Sequence, residues 1–205
     1  LLPQVYCRLF DRFKRINISF SDVAASCAAD IDRYKDALIR IDDGLTELLS
    51  RGVAEINRVT DPLILTEARV CGAGRTHLSM CPDGNWYICP SFYFDKNIRA
   101  AGRISSPGAN PYEGYCDPSQ FTLCADCACH HCPRCVYHHK KYTGEFSIPP
   151  ARQCMLSHFE LVNAAILGRT LRQEKGLTWP RELGRPHRLD PLHLSLAVMD
   201  EFESE

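Results

Sequence analysis

No stretch of roughly 18 consecutive apolar residues occurs in this chain of 205 residues, which excludes a membrane-spanning helix. There is almost no net charge. The 24 basic side chains against 25 acidic ones leave −1, so nothing general in the electrostatics points to nucleic acid or an anionic membrane as partner. No internal repeat is present, which removes solenoid architectures. The signs of disorder are missing too: 45% of residues are hydrophobic and 24% charged, ordinary values for a chain that buries a core. The opening "LLPQVYCRLF" has neither methionine nor the small-residue cleavage pattern of a signal peptide. The expectation is a piece of a longer protein, with room for one sizeable domain or two small ones.

What the chain has in excess is cysteine. Of its twelve cysteines, ten lie between Cys71 and Cys154. A disulfide scaffold would be a shorter, secreted chain, whereas a cytoplasmic protein keeps its thiols reduced and uses dense ones to hold metal. Metal in a cytoplasmic setting is therefore the expected reading.

Along the chain, "KRINISF" (14–20) alternates Ile16, Ile18 and Phe20 on one side, the period of a strand. Ile31, Tyr34, Leu38, Ile41, Leu45 and Leu48 then recur at spacings of three and four, which predicts an amphipathic helix capped by Asp30 and closed by Arg51 and Gly52. From Thr76 to Phe92 the pattern predicts a β-hairpin turning at Asp83–Gly84. Residues 101–120 are rich in Gly, Pro, Ser and Asn and read as a loop. After Cys154 a second helical stripe runs through Leu156, Phe159, Val162 and Ile166. The proline-broken end leaves room for a short helix near 191–199. These elements make an α+β chain.

Within "CADCACHHCPRC" (124–135), Cys124/Cys127 and Cys132/Cys135 are two C-x2-C steps, each able to place two thiolates on one centre. Structural zinc sites usually separate such pairs by a longer loop or hairpin. Pairs four residues apart, together with the distant Cys154, are closer to iron–sulfur ligation. Interleaved zinc sites remain the alternative.

The spacing C-x12-G-x4-C from Cys71 through Gly84 to Cys89, then C-x2-C-x4-C-x2-C and the remote Cys154, resembles the SPASM domain, the cluster-bearing extension of radical SAM peptide-modifying enzymes. The family pattern in the middle is C-x2-C-x5-C-x3-C, so this chain is one residue shorter in two gaps. With "MCPDGNWYICPSFYF", "TGEF" and "ARQCMLSHFE", the contracted form is similar to maturases that act on peptides with repeated Cys-x-x-x units. The resemblance covers about residues 14–165.

It implies the end of a radical SAM partial barrel (1–69, a strand plus a long helix), a SPASM domain (70–160) with hairpin, cysteine-rich loop and C-terminal helix, and a helical tail (161–205). It further implies two auxiliary [4Fe–4S] clusters. The first would take Cys71, Cys89 and Cys135, with Cys81 as fourth ligand. The second would take Cys124, Cys127, Cys132 and Cys154. Cys116 and Cys129 have no assigned place. The implied partners are a precursor peptide, modified by thioether cross-linking, and a flavodoxin or ferredoxin reductant.

The C-x3-C-x2-C motif that binds the catalytic cluster and S-adenosylmethionine is not in this sequence. No residue here is therefore expected to be catalytic. The radical SAM core, with a third cluster, is expected upstream or in trans. Two other classes stay in view: a zinc-stabilised binding module, and a stand-alone iron–sulfur electron-transfer subunit. Around the cysteines, His130 and His131 are not needed as ligands. His138 and His139 read as a solvated face with Lys140 and Lys141. Trp86 and Tyr87 read as core packing, Arg75 as a surface charge, and Cys7 and Cys27 as buried structural thiols.

Overall fold

Apolar residues three and four apart make α2 (Ala28–Ser50) the longest legible element. Ile31, Tyr34, Leu38, Ile41, Leu45 and Leu49 are all buried along one stripe, with Leu48 half-buried beside them. The structure, a computed structural model, describes residues 2–20, 22–23, 25–52, 54–68, 70–95, 98–106, 110–181 and 183. Asp30 is not the N-cap of α2. Cys27 is, and Asp30, three residues on, accepts hydrogen bonds from the Cys27 N–H at 3.3 Å and its thiol at 3.0 Å. This is a capping box, in which an acid in the first turn serves both the cap and the helix dipole. Gly52, with φ +65°, follows the C-cap Arg51.

By internal contacts the described chain forms two units. The first comprises residues 1–68, 128–132 and 151–205. In it α1 (Leu2–Phe10) packs on α2, and β1 (Arg15–Ile16) pairs in parallel with β2 (Glu55–Ile56). The ladder is shorter than the alternation over 14–20 predicts. Beyond Ile16 the side chain of Asn57 takes over, accepting from the Ile18 N–H at 2.7 Å and donating to its carbonyl at 3.0 Å. Ile16, Ile18 and Phe20 still lean on the core, so the facing was right. Arg15 grips Asp61, at the start of α3 (Asp61–Ile64), with bonds of 2.9 and 2.8 Å.

The unit closes with α6 (Ala151–Lys175), which packs on α2 and α3. Its buried side is Leu156, Leu161, Ala164, Leu167 and Leu171. Val162 and Ile166, expected in the core, are 40% and 52% exposed. The helix carries apolar residues around much of its circumference, so the period alone left its phase open. Gly168 helps to set that phase: a Cβ there would lie 2.8 Å from Leu63 Cδ2, so α3 approaches closely.

The second unit comprises residues 69–127 and 133–150. β3 (Ser79–Met80) and β4 (Asn85–Tyr87) form the expected hairpin, with Gly84 at φ +76° in its turn. β5 (Gly102–Arg103) adds a third strand on β4, inside the segment expected to be loop. The hairpin strand expected to run to Phe92 stops at Tyr87, and Pro90, suited to a first helical position, opens α4 (Pro90–Phe94) instead; α5 (Val136–Thr143), also unforeseen, is ended by Gly144 at φ +79°. The core is Ala73, Ile88, Phe92, Cys116, Phe121, Cys124, Val136 and Phe146.

The chain is thus a mixed α+β protein with small sheets and helices. The helix expected near 191–199 lies outside the described residues. Among the described residues, no helix is long and apolar enough to cross a membrane.

Candidate metal centre

None of the eleven described cysteines is in a disulfide. Four of the eight expected ligands, Cys71, Cys81, Cys89 and Cys135, fall in the second unit, as do Cys124 and Cys127. Cys132 and Cys154 fall in the first. The first expected ligand set therefore belongs to one compact unit, and the second is divided between the two.

In the second unit the thiols sit in the core itself. Cys116 is fully buried, and Cys71 and Cys89 pack against the cluster that contains it. Burial pushes the Cys116 thiol up to about 11, helped by the charges of Cys71 and Cys89. Burial also raises Cys135. The N–H groups of His138 and Tyr137 at the start of α5 pull the other way, and the charges of Cys71 and Cys89 push it up again. Four sulfurs, of Cys71, Cys89, Cys116 and Cys135, are thus linked electrostatically through Cys71 and Cys89. Cys81, raised by burial, then Asp83, then Cys89, feels only one of them.

The backbone around these thiols is constrained. Among the described residues, Arg134, between Cys132 and Cys135, is the one non-glycine residue with φ in the left-handed region, at +44°, a conformation that costs about 1 kcal/mol or more and tends to persist where a neighbour must be aimed. Cys135 is the N-cap of α5, where the helix dipole favours a thiolate. Aromatic rings enclose the core. Phe92 meets Tyr137 edge-on at 5.3 Å and stacks with Phe146 at 6.2 Å. Tyr87 packs on this core and donates to Asp83 at 2.8 Å. Trp86 is half-buried, its indole nitrogen without a hydrogen-bond partner.

His139 is buried, contrary to the expected solvated face. α5 puts it three residues after the buried Val136, on the same side. Its Nδ1 lies 2.9 Å from the Phe146 carbonyl, which can only accept, so Nδ1 carries the hydrogen. The buried Nε2 then has a bare lone pair and no partner, and protonation would bury a donor without an acceptor. Burial accordingly lowers the pKa of His139. A depressed folded-state pKa gives stability that is present above the unfolded value of about 6.5 and lost as pH falls below it. The protection of α5 amides, once corrected for the intrinsic exchange rate at each pH, should therefore fall between pH 7 and pH 5. In His139→Phe that pH dependence should flatten.

In the first unit, Cys129 is buried and its sulfur lies within 4.8 Å of a ring nitrogen of His158, on α6. Spacing gave Cys129 no role. The sequence signal that could have flagged it is His158, two helices further on in α6. His131 is buried and its Nε2 lies 3.1 Å from Glu160 Oε2. Cys27, expected to be buried, is exposed at the helix start. The Cys7 side chain is outside what the structure describes.

Comparison with protein-family models, curated proteins and solved structures gives no match. The likeness to the SPASM pattern rests on cysteine spacing, and a fit has to be judged from the donors present. Four thiols without competing carboxylates are a soft set suited to iron–sulfur or zinc. A single tetrahedral zinc would draw four sulfurs to about 3.8 Å of one another, given Zn–S near 2.3 Å. Among the described residues, no three of the four sulfurs lie mutually within 4.8 Å.

Proposed function

We propose that this chain is the auxiliary-cluster portion of a cytoplasmic radical SAM peptide maturase, with two [4Fe–4S] clusters. It would serve the modification of a ribosomally made precursor peptide by thioether cross-linking. The observation that carries the reading is the group of thiols in and against the core of the second unit, Cys116 and Cys124 within it and Cys71 and Cys89 packed on it, none of them in a disulfide. The spacing of eight of the ten clustered cysteines supports it, and the parallel β1–α2–β2 unit is the kind of element that the end of a partial barrel would contribute. The catalytic core with S-adenosylmethionine would lie upstream or in trans, and a flavodoxin or ferredoxin would supply reducing equivalents.

A bound cluster supplies one-electron transfer. The chain's own residues hold it, exclude water through Phe92, Tyr137 and Phe146, and set its environment. Cys71, Cys89 and Cys135 belong to the first cluster. Cys124, Cys127, Cys132 and Cys154 belong to the second.

Anaerobic reconstitution of the full chain with iron and sulfide tests the reading. About eight irons per chain and a brown colour are expected for two four-iron clusters. A colourless protein that takes up only zinc overturns it. The zinc-stabilised binding module is the second reading, and Cys129 with His158 favours it: a thiolate and an imidazole at this spacing are a zinc-type donor pair. That reading predicts stoichiometric zinc and no redox signal.

A further inference from the structure

We propose that Cys116, not Cys81, is the fourth ligand of the first cluster, so that four thiols of this chain close its coordination. The inference rests on the cluster reading above and goes beyond it, because it decides what the cluster can bind.

Burial alone would not single out Cys116, since an unmodified cysteine is a good small core residue. Its company does. Cys116 lies inside the core against which Cys71 and Cys89 pack. Cys81, although buried, is not part of that core and sits in the turn of the hairpin, directly after β3 and near Asp83.

The backbone is built around the Cys116 sulfur. Gly74 has φ +78°, and a Cβ at this position would stand 2.8 Å from Cys116 Sγ and 2.9 Å from Ile88 Cγ2. Only glycine lets the loop after Cys71 come this close. That loop is tied down on both sides. The Gly74 N–H donates to the His77 carbonyl at 2.9 Å, and the Gly74 carbonyl accepts from Asn110 Nδ2 at 2.6 Å. Asn110 in turn accepts from the Tyr112 N–H at 3.0 Å, and the Cys116 N–H reaches the Tyr112 carbonyl at 3.3 Å. A chain of hydrogen bonds thus joins the segment that begins with Cys71 to the 3-10 turn that delivers Cys116. The charges of Cys71 and Cys89 bear on Cys116 as they do on Cys135, whereas Cys89 is the one thiol among them that bears on Cys81.

With four chain thiolates on four irons, no position is left for an outside thiolate. The first cluster then transfers electrons and does not hold a cysteine of the precursor peptide.

The test uses the full chain, reconstituted anaerobically, as wild type, Cys81→Ala and Cys116→Ala. Iron is counted and the reduced protein is examined by electron paramagnetic resonance with and without 2-mercaptoethanol. Wild-type protein without iron would refute the cluster reading itself, before the ligand question arises. With iron bound, wild type and Cys81→Ala should give the same spectrum, indifferent to the added thiol. Cys116→Ala should give an altered spectrum that shifts when the thiol fills the opened position. A thiol-dependent shift in wild type or in Cys81→Ala overturns the proposal. Both of these proteins keep the core cysteine, so the result does not depend on Cys116→Ala folding.

Discussion

Under the proposed cluster reading, stripping the metal from the full chain is expected to unfold the unit formed by residues 69–127 and 133–150, while α2 and α6 remain helical. That unit has fewer than eighty residues, and its strands are two or three residues long. Of its eight core residues two are cysteines, and two more cysteines pack against them. A core of this size rarely supplies more than about 3–5 kcal/mol. Structural metal sites contribute on the order of 10 kcal/mol when binding is coupled to folding. The metal is the larger quantity, so the fold of this unit should follow it. The first unit differs in kind. None of the fourteen residues of its core cluster is a cysteine, and its Ile and Leu side chains come largely from α2 and α6. Hydrogen exchange and limited proteolysis after oxidative chelation should show protection lost over 69–127 and 133–150 and kept over 28–50 and 151–175. Full protection of both regions in the metal-free protein would mean that the thiols are ordinary core residues.

Legibility from sequence varied with how local the cause was. The α2 stripe is one-sided, so its face could be read before its cap. The hairpin announced itself through Asp83–Gly84, a turn with its own geometry. β5 could not be read, because a two-residue strand of Gly102 and Arg103 is created by its pairing with β4 rather than by any pattern of its own. The burial of Cys116 was hidden in the same way, since the segment rich in glycine and proline before it gives no sign of the turn that carries it inward. His139 was misread because "HHKK" looks like a solvated run until α5 aligns His139 with Val136.

Replacing Glu160 should be the most damaging single substitution in the first unit. Its carboxylate is 3% exposed and has three donors. Tyr34 OH lies at 2.7 Å from Oε1, His131 Nε2 at 3.1 Å and Arg58 Nη1 at 3.3 Å from Oε2. Burial, and then the charge of Glu160, hold the Tyr34 phenol far above its ordinary pKa, so Tyr34 stays a neutral donor. Glu160→Ala strands a largely buried guanidinium and two buried donors. Breaking a buried ion pair by removing one partner costs about 3–5 kcal/mol, against which the loss of one neutral hydrogen bond in Tyr34→Phe should cost about 1–2 kcal/mol. Glu160→Gln should fall between them, because its amide nitrogen turns a donor toward Arg58 and His131 where an acceptor stood. The cost comes mainly from the uncompensated charge, so removing both charges should undo much of it. Arg58→Met with Glu160→Leu is expected to be several kcal/mol more stable than Glu160→Ala. Urea unfolding of the four variants, read by the circular dichroism of α2 and α6, checks the order. A double variant no more stable than Glu160→Ala would show that the network stabilises the unit by packing around Glu160 rather than by pairing its charge.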